Sequence, residues 1–140
     1  MTITRSARVR CTARVVLGGA LVFAGLGHLT FARNDFQAQV PDWVGIDKNA
    51  VVIESGLVEI SLGTALIVVR RRRSLLGLAV GLFFIAVFPG NISQFIDGHD
   101  AFGLNSDAAR RNRLFFQPVL VVWAWWSTNA GDVLRRSRRD

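Results

Sequence analysis

Five polar side chains, His28, Glu54, Glu59, Asn91 and Gln117, stand inside otherwise apolar stretches of this 140-residue sequence. A histidine exchanges protons near neutral pH, because its unperturbed pKa is about 6.5. A carboxylate inside an apolar stretch must be protonated, paired or hydrated, since an ionised one at a bilayer centre costs at least ~2.5 kcal/mol. The amides of Asn91 and Gln117 both donate and accept hydrogen bonds. Together the five are candidates to bind a polar ligand or to hold a proton. Burial raises a carboxyl pKa and a nearby cation lowers it, so the ionisation of Glu59 is left open by the sequence.

The elements that must position these groups are four apolar stretches, at 15–31, 50–69, 75–96 and 114–128. A helix crossing a hydrocarbon core needs roughly 17 to 25 such residues. The last stretch is short for this and needs its flanks. Between the stretches lie clusters of arginine, which give a net charge of +7 beside 51% apolar residues. If both termini are cytoplasmic, twelve of the 17 basic residues fall inside and five outside, as the positive-inside rule favours. The expected fold is therefore all-α, an integral membrane four-helix bundle over residues 15–128, with a basic cytoplasmic segment at 1–14 and a basic tail at 129–140. It is expected to be a multi-pass protein of the cell membrane whose first partner is the lipid bilayer.

The same arithmetic excludes other classes. The arginines flank apolar spans instead of lining a polar helix face, which argues against nucleic acid as a partner. One cysteine, Cys11, builds neither a disulfide framework nor a thiolate metal site. The first stretch has the basic and apolar parts of a secretory signal, but no clean small-x-small cleavage site follows and three further spans need a partner helix. No Gly-rich phosphate loop, H-x-x-x-H or C-x-x-C motif is present, so neither catalytic residues nor a resident metal are expected.

Small residues mark where membrane helices approach. Three stripes at helical spacing carry the polar groups: Ala20, Ala24 and His28; Ser55, Glu59 and Gly63; and Gly77, Gly81, Phe84, Phe88 and Asn91. At about 1.5 Å per residue, His28 and Gln117 lie roughly 4.5 Å from the outer ends of their spans, Glu54 roughly 6 Å, Asn91 roughly 7.5 Å and Glu59 roughly 13.5 Å. The polar groups thus gather in the outer half, above an inner half sealed by Leu, Val, Phe and Trp. Glu54 is about 140° around the helix from Glu59, which suits a second span central to the bundle. The segment 32–49, with Pro41 and Trp43, is expected at the membrane interface. The polar loop 97–113, with Gly98, Gly103 and Asn105, is expected to be mobile. Trp123, Trp125 and Trp126 read as an interfacial belt, and Gln117-Pro118 as a candidate helix start.

Taken in order, Gly25-Leu26-Gly27-His28-Leu29 with Phe36, Val40 and Pro41, then Ser55-Gly56-Leu57-Val58-Glu59 with Gly63, then Phe88-Pro89-Gly90-Asn91-Ile92, and last Gln117-Pro118 with Leu120 and Trp123, resemble the motifs of the DoxX and DoxX-like membrane proteins. The likeness runs from about Gly18 to Trp126. Ala32 and Arg33 stand where that family commonly has a proline-containing turn. The resemblance implies a small four-helix membrane bundle. It also implies an accessory, non-catalytic subunit of a quinone-linked or thiol-related redox system, with a redox partner protein and a quinone as the cofactor or ligand held by His28, Glu54, Glu59, Asn91 and Gln117. Beside this stand two other readings of the same residues: a bundle that binds or transports a small solute or proton, and a purely structural role in which His28 and the amides fix helix packing.

Overall fold

The computed structural model describes residues 4–98, 100–103 and 106–138; Asn105 of the polar loop and Arg139 of the tail lie outside them. Among the described residues the chain is helical with no strand: α1 (Arg5–Leu29), α2 (Arg33–Gln37), a 3-10 turn (Asp42–Val44), α3 (Lys48–Val68), α4 (Arg73–Ile96), α5 (Asp107–Thr128) and α6 (Gly131–Ser137). Three helices, α1, α3 and α4, are long and apolar enough to cross a membrane. Their outward faces carry Phe23, Val68, Leu82 and Ile85, all exposed, as helices do whose solvent is lipid.

The helices outrun the apolar stretches. α1 begins ten residues before Val15 and takes in Arg5, Arg8, Arg10 and Arg14, because arginine is a good helix former. α5 begins at Asp107, capped by Ser106, whose Oγ accepts from the Ala109 N–H at 3.2 Å. Pro118 is therefore inside α5 and does not start it. Hydropathy marks the membrane-compatible part of a helix, whereas caps and propensity set its ends.

α1 packs on α3 and α4 on α5, each pair antiparallel. α3 is not central; it packs chiefly on α1 and more lightly on α4. Glycines set both pairs. A Cβ on Gly18 would stand 2.7 Å from the Gly63 carbonyl oxygen, and one on Gly25 would stand 2.6 Å from that of Gly56. Gly77 and Gly81 of α4 leave notches filled by Thr128 and Trp125 of α5. One end is tied by Arg14 Nη1 donating to the Val69 carbonyl at 2.9 Å, Trp123 Nε1 to Ala13 O at 3.0 Å and Ser74 Oγ to Thr128 O at 3.1 Å. We call this the basic end, for the four arginines Arg70 to Arg73 stand there. Of the three tryptophans, Trp126 faces outward, beneath the Arg10 guanidinium, while Trp125 and Trp123 pack inward.

At the other end the connections are folded down on the bundle. Phe102 packs edge-on against Phe36, with ring centroids 4.7 Å apart, and Ala101 is buried. Arg110 is bridged to Asp100 and Asp107 at 2.6 and 3.0 Å. The described part of the connection before α5 is thus tied to the bundle by the Phe102–Phe36 contact and the Asp100–Arg110 ion pair. Trp43 and Ile46 project outward from the 32–49 segment.

Gly63→Ala should loosen the α1/α3 pair, because its Cβ would meet the Gly18 carbonyl at 2.5 Å and backbone must move. We expect a loss of about 1–3 kcal/mol, read as a lower thermal midpoint in detergent. Gly19→Ala has open space around it and should be neutral or slightly stabilising.

Candidate functional site

The two helix pairs do not close on each other at the loop end. Between them is a cavity of about 300 Å³, whose polar wall is His28, Gln39, Glu59, Asn91, Arg113 and Gln117. Four of the five residues singled out by sequence meet here. Glu54 does not: it is exposed and off the cavity. The physical reason is its angular position on α3, since the cavity side of that helix is the one bearing Glu59.

His28 is held from three sides. Its Nδ1–H points at the Ala24 carbonyl, 2.9 Å away, which fixes that nitrogen as a donor because a carbonyl only accepts. Its ring stacks on Phe36 at 3.4 Å between centroids and 16° between planes. Its Cβ lies over Gly56, where an added methyl would stand 2.7 Å away. Glu59 Oε2 lies 3.0 Å from the same Nδ1 but off the N–H direction, so this oxygen is buried beside the imidazole with no donor aimed at it. His28 Nε2 has no partner among the described residues and is the ring nitrogen open to a ligand. A second cavity, of about 210 Å³, lies along His28 and Phe36 and is lined by Pro41, Trp43, Val51 and Pro89.

The amides are differently engaged. Asn91 Nδ2 donates to Gln117 Oε1 at 3.0 Å, and Gln117 Nε2 donates to the Phe84 carbonyl at 2.7 Å. This links α4 to α5 on both sides of Pro89, whose missing N–H frees the carbonyl of residue 85. Gly90 lets the Gln39 carbonyl approach α4, where a Cβ would stand 2.9 Å from it. Asn91 and Gln117 thus spend hydrogen bonds on each other, which is the packing role, while still lining the cavity.

Two residues on the cavity wall, Gln39 and Arg113, and one behind it, Gln94, are not among the candidates the sequence offers. Gln39 and Gln94 pair through their amides at 2.9 Å. With the Gln39 amide turned so that its oxygen faces the cation, that oxygen accepts from Arg113 Nη2 and Nη1 at 2.8 and 3.0 Å, and Gln94, turned to match, then donates its amide to the same oxygen. The Arg113 guanidinium also lies over Phe102, 4.8 Å from the ring centroid. In the sequence Arg113 counts as a loop charge; only the extension of α5 back to Asp107 turns it towards the cavity. Gln94 had a signal, since it follows Asn91 by three residues on one helix face.

The small-residue stripe of α1 also acts differently from its reading. Ala20 and Ala24 border the cavity with His28, while Gly18 and Gly25 make the helix contact. Below, Leu17, Leu21, Leu66, Val80, Phe84 and Ala124 form a packed apolar core. The cavity is therefore blind towards the basic end.

Gln117→Leu would strand the Asn91 N–H and remove the bond to the Phe84 carbonyl. We expect a loss of roughly 1–2 kcal/mol, and a double-mutant cycle with Asn91→Leu should recover less than the sum of the single losses.

No curated protein and no solved structure matches the chain. One family profile covers most of it, from the start of the apolar part of α1 to the end of α5. By that match over residues 17–128, the chain belongs to the DUF8561 family, a domain of unknown function.

Proposed function

We propose that this protein is a four-span, DoxX-like bundle of the cell membrane, with both termini cytoplasmic. In this reading it serves as a non-catalytic accessory subunit of a redox system and holds a quinone or similar amphipathic carbonyl compound in the cavity between its helix pairs. The observation that carries the reading is the joining of His28, Glu59 and Arg113, beside three side-chain amides, in one cavity whose remaining lining is apolar. Its size, about 300 Å³, is at the lower end of ligand pockets, roughly 300–1,000 Å³. Charged and hydrogen-bonding groups aimed into an apolar space suit a ligand with a polar head and a greasy body. α5 is long enough to be the fourth span if its arginine-rich first turns stand in the headgroup layer.

A proton- or solute-handling role draws support from the buried His28–Glu59 pair. The packed core below the cavity favours binding over passage across the bundle.

Topology is tested with a membrane-impermeant maleimide. Cys11 is exposed and should react only when the cytoplasmic face is opened. In a Cys11→Ser background, Asp132→Cys should behave in the same way and Ser106→Cys should label from outside; labelling of both from one side would remove the fourth crossing.

Ligand binding is tested with a neutral naphthoquinone titrated into the purified protein. Glu59→Ala and His28→Ala should each weaken binding at least tenfold, about 1.4 kcal/mol, with the protein still folded. Unchanged affinity in both would overturn the assignment of the cavity.

A further inference from the structure

Two arginines three residues apart on α5 are compensated differently. Arg110 is held by Asp100 at 2.6 Å and Asp107 at 3.0 Å. Arg113 has no such partner: among the described residues no carboxylate comes within ion-pair distance of its guanidinium. The groups that do touch it are neutral, an amide oxygen of Gln39 and the face of Phe102. Glu59, the acidic residue of the cavity wall, is already against His28 at 3.0 Å.

Its position gives this charge a use. Arg113 is half-buried on a wall common to the cavity and to a shallow groove of about 720 Å³ along α5; the two share Arg113, Phe116, Gln117 and Leu120. An amphiphile lying in the apolar groove would bring its head past Arg113 before reaching His28. A guanidinium presents five N–H donors in a planar fork that matches two oxygens of one anion, and Gln39 occupies only part of that fork. A carboxylate or an ionised enol would supply the missing counter-charge where water is scarce and the attraction is weakly screened.

Resting on the reading of this cavity as a binding site for an amphipathic carbonyl compound, we infer that Arg113 receives the ligand's head and that this head is an oxyanion. The preferred ligand class is then an acidic amphiphile, such as a ring-hydroxylated quinone, and a neutral quinone is the weaker ligand. Gln39 and Phe102 are positioning residues, which aim the guanidinium by an amide oxygen and a ring face.

The test compares two probes on the purified protein at pH 7: a neutral naphthoquinone and lawsone, its ring-hydroxylated counterpart, which is an anion at that pH. The wild-type protein should bind lawsone at least tenfold more tightly. Arg113→Met should bring the two affinities together by weakening lawsone. Arg113→Lys, which keeps the charge but loses the fork, should keep part of the preference. Equal affinities in the wild-type protein, which need no variant to measure, would overturn the inference and leave the cavity reading intact. A preference that survives in folded Arg113→Met would also overturn it. Failure of both probes to bind would bring down the cavity reading and the inference with it.

Discussion

The backbone contact between α1 and α3 is the constraint on which the rest of the structure depends. Gly18 and Gly25 on one helix meet Gly63 and Gly56 on the other, seven residues apart on each. With no side chain between them the two helices run closer than larger residues would permit, and dispersion rather than hydrophobic exclusion holds them where both sides face an apolar solvent. The same approach seats His28. Its Cβ occupies the space that a side chain at position 56 would need, and from that seat Nδ1 comes within 3.0 Å of Glu59. The polar pair is thus a consequence of glycine at 56, and the glycine is best understood together with the histidine it admits.

The second pair is closed by different means, and the difference makes the cavity. Gly77 and Gly81 accept Thr128 and Trp125 at the basic end, so α4 and α5 are drawn together there. Towards the loop end the link between them is the Asn91–Gln117–Phe84 chain of hydrogen bonds, in which two amide side chains replace direct apolar contact. The pairs converge at the basic end around Leu17, Leu66 and Val80 and part at the other. A wedge-shaped space follows, with polar groups of all four long helices on its walls.

Much of this was legible in the sequence, and the rest had identifiable reasons for being hidden. Four apolar stretches gave the four long helices, and Gly77, Gly81 and Gly63 were readable as contact positions because small residues at helical spacing have few other uses inside a membrane-compatible helix. His28, Glu59, Asn91 and Gln117 were found because a polar residue is conspicuous in an apolar run. Glu54 was conspicuous for the same reason, yet its angle on α3 takes it outward, and only the pairing of α3 with α1 decides which angle is inside. Arg113 and Gln39 escape the sequence because nothing distinguishes a site residue from a solvated one in a polar segment. Phe36 and Phe102 carry the point further. Their stacking on His28 and on each other folds the loops over the cavity, and no periodicity announces a contact between residues 66 positions apart.

The distribution of compensated and uncompensated charge separates the two ends of the molecule. At the basic end Arg14 donates to the carbonyl of Val69, just past the end of α3, and the exposed Arg70 to Arg73 need no protein partner because water and headgroups reach them. At the loop end Arg110 and Glu59 are buried, so their neighbours matter more. Arg110 is answered by Asp100 and Asp107, whereas Glu59 only lies beside the His28 imidazole with no donor aimed at its buried oxygen. A half-buried guanidinium answered only by an amide and a ring keeps most of its field, and the cavity beside it is where that field is felt.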